Sequence, residues 1–275
     1  MEIGFSSYTG LDFLLFYTLL LAAAVFAGFW IPANLRTDGS VARVDKAEEL
    51  AMLAGGPVRL ADSVLSQLYA AGLLRIEKKK LVTTGAIPEG TYGDAERDLL
   101  GQHHPMKWGE AREKILQHGS AIDRRLTDAR LLMSHSERVK LRWLSVLPYV
   151  ALMLIGGYRW LMGNHLGEPV GFLTMLLFLT LVLAIIRYAK FNPRTDTGNA
   201  ELAQARSRHV RLESAPRQDE IALGVALYGT VILVGTPYAP VHDLRQQSAD
   251  AGSGAGDGGC GDGGGCGGGC GGCGG

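Results

Sequence analysis

The amino-acid sequence predicts a mainly α-helical, multi-pass membrane protein: three membrane helices, a helical domain with a winged-helix-like order of elements, and a structureless Gly/Cys tail. Two observations carry the membrane part. The runs Leu144 to Leu161 and Val170 to Tyr188 are apolar and separated only by the short polar segment Met162 to Pro169, and Phe13 to Ile31 is a third such run. Each approaches the roughly 20 residues with which a helix crosses about 30 Å of hydrocarbon. A third observation sets the size of the rest. With 275 residues, 47% of them hydrophobic, and a mean hydropathy of +0.11, the chain has room for these helices and one modest soluble domain. Lys plus Arg and Asp plus Glu balance at 27 each. No global field therefore draws in nucleic acid or anionic lipid, and any electrostatic function is local.

Residues 1–32 are expected to form an anchor helix. The segment before Phe13 carries acidic Glu2 and Asp12 where a cleaved signal peptide would be basic, and the apolar run exceeds a typical signal core, so the helix is read as uncleaved. Trp30 marks its far interface, and Trp143, Tyr158, Trp160 and Tyr188 flank the hairpin of residues 143–190 in the same way. Arg159 and Arg187 lie close enough to the ends to snorkel outward. Orientation follows from basic residues. None precedes the first helix, whereas eighteen lie from Arg36 to Arg142; the hairpin loop has none, and Lys190 and Arg194 follow it. The positive-inside rule then places the N-terminus outside and residues 33–142 in the cytoplasm of a bacterial inner membrane.

Within residues 33–142, Asp45 is positioned to cap a helix through Leu53, which Gly55, Gly56 and Pro57 stop. A second helix, Leu60 to Ala71, places Leu60, Val64, Leu65, Leu68 and Ala71 on one face. Gly72 ends it. Leu73 to Ile76 and Lys80 to Thr84 then read as two strands about a polar turn at Glu77 to Lys79. Helix, turn, helix, hairpin is the order of a winged helix. The same register recurs 58 residues on, where Ile122, Leu126, Ala129, Leu131 and Leu132 match Val64, Leu68, Ala71, Leu73 and Leu74. Helical periodicity alone produces part of such a match, so a tandem copy and a coincidence both stand. In the second stretch Arg130 replaces Gly72, and Ser134 to Arg138 makes a poor strand. The expectation is a lost wing and a helix running on toward the membrane.

Residues 191–250 are read as cytosolic helices packed on that domain, with one helix from Gly198 to Leu212. Ile221 to Val234 is apolar but short, rising only about 21 Å as a helix. It is assigned to the soluble domain or the inner interface, a fourth crossing extended to Tyr238 being the alternative. The tail, residues 251–275, has no apolar side chains beyond alanine and cysteine, is dominated by Gly, and is expected to be a flexible coil.

All four cysteines, Cys260, Cys266, Cys270 and Cys273, lie in that tail, so no disulfide holds the folded part. Thiolates are good soft-metal ligands, yet only Cys270 and Cys273 have knuckle-like spacing, with neither a second pair nor a histidine nearby. Metal binding, enzymatic modification of the tail and low-complexity drift remain open. For DNA, the helix that would enter the groove carries no cation between Asp62 and Leu74, and only Lys78, Lys79 and Lys80 offer phosphate contacts. His103 and His104 are adjacent and diverge on a helix, His118 stands apart, and His165 with Glu168 lies in an eight-residue loop without a pocket. No nucleophile elbow, phosphate loop or intramembrane carboxylate pair is present, so neither catalysis nor a cofactor is expected. The expected partners are the lipid bilayer and a protein, not nucleic acid.

Leu53-Ala-Gly-Gly-Pro-Val-Arg59, Leu68-Tyr-Ala-Ala-Gly-Leu-Leu74, Val225-Ala-Leu-Tyr-Gly229 and the Gly/Cys tail together resemble an uncharacterised family of bacterial membrane proteins, in which a membrane-anchored domain precedes a low-complexity Gly/Cys-rich C-terminus. The resemblance implies an inner-membrane protein and carries over no catalytic residue. The function expected is a non-enzymatic docking platform. The alternatives are a tail that binds a soft metal or is modified, and a membrane-tethered DNA binder.

Overall fold

The computed structural model describes residues 10–35, 39, 43–84, 93–101, 105–165, 171–189, 191–214 and 216–252. Among them the chain is mainly helical, with a single two-stranded sheet. Three helices are long and apolar enough to cross a membrane: α1 (Gly10–Asn34), α5 (His135–His165) and α6 (Gly171–Ala189). They pack on one another through Phe13, Tyr17, Leu21, Leu152 and Leu173, while Leu15, Phe26, Leu154 and Phe172 are two-thirds exposed or more. An outward apolar face of that size suits hydrocarbon and not water. Gly156 is what lets the bundle close, since a Cβ there would stand 2.6 Å from the Tyr17 ring. The Tyr17 hydroxyl in turn meets Thr180 Oγ1 at 3.0 Å, so these two buried hydroxyl groups satisfy each other. Arg159, expected to snorkel, is instead 5% exposed, with its guanidinium 5.8 Å from the Phe13 ring centroid.

α5 starts nine residues before the apolar run that announces it, because Glu137 reaches back to accept from the Ser134 N–H at 2.9 Å. The same device opens α3 (Asp94–Leu100), where Glu96 accepts from Gly93 N at 2.8 Å, and α4 (Trp108–Asp128), where Glu110 accepts from Lys107 N at 3.0 Å. A glutamate at the third helical position satisfies one of the amide groups that a helix start leaves unpaired. Asp45 does not cap. It bonds Arg43 at 2.9 Å, and α2 (Ala47–Ala70) begins after Lys46 without a side-chain cap.

α2 breaks where the sequence says it should, at Gly55 and Gly56, and Gly56 takes a left-handed φ of 67°. The break strands the carbonyls of Leu53 and Ala54. Arg194, 141 residues downstream of Leu53, donates to both, to Leu53 O at 2.6 Å. Strands β1 (Leu74–Glu77) and β2 (Lys80–Thr83) pair antiparallel about a two-residue turn at Lys78 and Lys79, with φ of 46° and 64°. Positive φ at both central residues is the type I′ geometry that matches strand twist. The turn is thus shorter than the sequence suggests, the first strand is shifted one residue along the chain, and the second ends one residue earlier.

The region after the hairpin is α7 (Asp196–Arg208), a single turn α8 (Arg211–Ser214), α9 (Ile221–Tyr228) and α10 (Ala239–Gly252). The one helix expected over Gly198 to Leu212 is therefore two. It starts at Asp196 because Thr195 Oγ1 accepts from Gly198 N at 3.0 Å. α9 is no membrane span. It stops at Gly229, whose φ of 88° ends the helix, and Ile221, Val225, Ala226, Leu227 and Leu233 are fully buried against α2. This is the main apolar core among the described residues, joined by Leu50, Leu53, Leu65, Leu68 and Ile115.

Candidate functional site

Two junctions organise the chemistry of this chain, and they correspond bond for bond at the spacing of 58. At the end of α2, the N–H groups of Ala71, Gly72 and Leu73 donate to Gln67, Tyr69 and Leu68. At the end of α4, Ala129, Arg130 and Leu131 donate to Arg125, Thr127 and Leu126. This is a Schellman exit, which needs a left-handed residue at its turn. Gly72 supplies φ of 76°, and Arg130 adopts 54° in its place. Beyond each exit a returning segment bonds the same atoms. Thr84 N donates to Leu73 O at 2.9 Å and its hydroxyl to Gly72 O; Thr195 N donates to Leu131 O at 3.1 Å and its hydroxyl to Arg130 O at 2.8 Å. Leu74 pairs Thr83, and Leu132 pairs Arg194. Between Leu74 and Thr83 lies a two-residue turn; between Leu132 and Arg194 lies the α5–α6 hairpin.

The helix that would read DNA is closed on all sides. Leu60 through Ser66 are buried without interruption, under α9, α4 and α10. Asp62, read from the sequence as lying on a groove-facing helix, is 1% exposed and accepts from Arg245 of α10 at 2.6 Å. Burial pushes its carboxyl above the usual aspartate range, and the Arg245, Arg59 and Arg112 guanidinium groups partly offset this. Its second oxygen, Oδ1, has no hydrogen-bond partner. α10 is fastened a second time by His242, whose Nδ1 meets the buried Thr230 hydroxyl at 2.9 Å. The sequence offers no signal for either clasp, since the partners are 183 and 12 residues apart with no shared periodicity.

Lys78, Lys79 and Lys80 are exposed at the tip of the β-hairpin, as a phosphate or acidic-surface contact would require. The outer face of α4 presents Glu110, Glu113, Gln117, Arg124 and Arg125, mixed in sign. At the base of the α5–α6 hairpin, the Arg142 guanidinium lies 4.7 Å from the Tyr188 ring centroid and 5.5 Å from that of Phe191, and Trp143 meets Tyr188 edge-on. Among the described residues no three His, Cys, Asp or Glu converge as a metal would need. His118 stands 3.6 Å from Asp98 on the surface. Cys260, Cys266, Cys270, Cys273, His103, His104 and Glu168 lie outside the described residues. No family model, curated protein or solved structure matches this chain.

Proposed function

We propose that the protein is a non-enzymatic docking platform held at a bacterial inner membrane by α1, α5 and α6, with its helical domain and tail in the cytoplasm. The domain is read as two winged-helix-like units in tandem. In the first, β1 and β2 form the wing; in the second, the membrane hairpin takes the wing's place. The matched bonds of Thr84 and Thr195 support this reading, and the resemblance to Gly/Cys-tailed bacterial membrane proteins agrees with the layout.

The observation that favours protein docking over DNA reading is the burial of Leu60 to Ser66. A helix with no free face cannot enter a major groove, which must admit the helix's own side chains to base edges. What remains outside is a lysine-tipped wing and the mixed-charge face of α4, a pattern that suits a protein partner better than a polyphosphate. A photo-crosslinking residue placed at Gln117 or Lys79 of the full chain, expressed in intact cells, tests the reading. A discrete adduct, lost on reversing the charges at Glu113 and Arg124, is expected; diffuse or absent adducts at both positions, with DNA retained by the detergent-solubilised chain at low salt, would overturn it.

A further inference from the structure

The β1–β2 hairpin ends in a turn of unusual composition. Lys78 and Lys79 are both left-handed, with φ of 46° and 64°, and each carries the Cβ that makes this region unfavourable. Asn-Gly or Gly-Gly is the ordinary filling of such a turn, because those residues take the angles at little cost. The chain keeps two lysines there instead, and Lys80 follows as the first residue of β2. Lysine for solubility alone fits any exposed position without a backbone penalty, so the strain marks these cations as wanted at this apex.

The adjoining segment adds a further cation. Leu81 pairs with Ile76 on one side and Met106 on the other, and this register sets Lys80 beside Lys107. Leu81 and Met106 are buried, so the alternation of a strand turns Lys80 and Lys107 to the outer face, where both are exposed. Protection of a sheet edge does not account for Lys80, since its strand is flanked on both sides. Lys78, Lys79, Lys80 and Lys107 have no ion pair among the described residues. Glu77 stands opposite Lys80, and Glu110 is engaged with the Lys107 N–H at 3.0 Å. The hairpin and Lys107 thus carry five cations, Arg75 included, and one carboxylate.

From this juxtaposition we infer that the hairpin binds an acidic segment of the partner protein, whose carboxylates meet Lys78, Lys79, Lys80 and Lys107 and whose neutral or basic residue meets Glu77. This partner deepens the docking reading above and rests on it. A nucleic-acid strand fits the same face less well. Arg75, Glu77, Lys80, Val82 and Lys107 include no aromatic ring on which a base could stack, and Glu77 repels an unbroken line of phosphates. A peptide can interrupt its acids, whereas a phosphodiester chain cannot.

The test uses the detergent-solubilised full chain and two labelled probes of equal charge, an oligoglutamate peptide and an oligothymidine, read by fluorescence anisotropy at low and at physiological salt. The expected result is salt-sensitive binding of oligoglutamate, tighter than that of oligothymidine. In Lys78→Asn with Lys79→Gly this binding should weaken about ten-fold, as for two exposed ion pairs, while the thermal midpoint rises by several degrees because the turn relaxes. Lys78→Arg with Lys79→Arg should keep the binding. Oligoglutamate binding that survives the first pair of substitutions overturns the inference, as does no binding at all. Oligothymidine bound as tightly as oligoglutamate overturns it too, and makes the hairpin a nucleic-acid contact. An unchanged or lower midpoint removes the strain on which the site rests. Cross-links from Gln117 that persist in intact cells, with no oligoglutamate bound by the solubilised chain, overturn the acidic-segment site and leave docking in place.

Discussion

The exits of α2 and α4 use the same hydrogen bonds to opposite ends. After α2 the chain makes an exposed two-residue turn and returns as Thr84, also exposed; after α4 it leaves through α5, comes back through α6, and returns as Thr195, which is 2% exposed. The lesson is that a Schellman exit and a bonded return strand specify where two segments meet, and say nothing of what lies between them. Such a junction tolerates connections of very different length, because loop-closure entropy grows only slowly with length and the junction is closed by backbone groups. The consequence falls on the junction residues. The α5–α6 hairpin is tied to the rest of the chain at the second exit through Leu131, Leu132, Arg194 and Thr195.

The comparison can be broken most severely at Gly198. A Cβ there would collide with the Leu131 carbonyl, so Gly198→Ala should cost about 3 kcal/mol, read as a lower urea midpoint of the full chain in detergent by the fluorescence of buried Trp108. Next is Arg245→Gln, which leaves the Asp62 carboxylate buried beside an amide. Arg245 is itself 35% exposed, which tempers the loss to about 2 kcal/mol. The pH dependence has a definite sign. Because the folded carboxyl titrates above its unfolded value, Asp62 favours the fold most below the ordinary aspartate pKa and progressively less as pH rises toward the folded one. Losing Arg245 raises that pKa further, so the variant should lose more stability at pH 8 than at pH 5; an equal loss at both would mean that the protonation state of Asp62 does not change between them.

The third test sharpens the comparison. Thr195→Val removes bonds to Arg130 O and Gly198 N inside the protein and should cost about 2 kcal/mol, whereas Thr84→Val, the same change at an exposed site, should cost under about 0.5 kcal/mol. Equal costs would mean that burial does not distinguish the two junctions. The smallest effect, of opposite sign in the two halves, lies at the left-handed residue. Gly72→Ala should destabilise by about 1 kcal/mol and Arg130→Gly should stabilise by about 0.5 kcal/mol, since only glycine holds positive φ without strain.

Much of this arrangement is legible in the residues. Gly55-Gly56-Pro57 and Gly72 mark helix ends because few other residues allow those backbone angles, and the three apolar runs stand out because a soluble helix rarely goes so long without charge. The five matches at a spacing of 58 mark equivalent positions at two helix exits. Other features have no such trace. Ile221 to Tyr228 is apolar on every side, and a helix buried nearly all round has no period by which to tell a protein core from a bilayer. Asp62 looks exposed by composition and is the most buried carboxylate described.

The sequence by itself determined the three helices long and apolar enough to cross a membrane, the breaks in α2 and the order of the first unit, since these depend on local backbone freedom and on runs of like side chains. Tertiary structure alone decided that α9 packs into the core around α2, that Arg245 reaches Asp62, and that Arg194 and Thr195 complete the exit of α4 across the whole α5–α6 hairpin. Backbone carbonyls are the same at every residue, so a bond to one of them leaves no mark in the sequence of either partner.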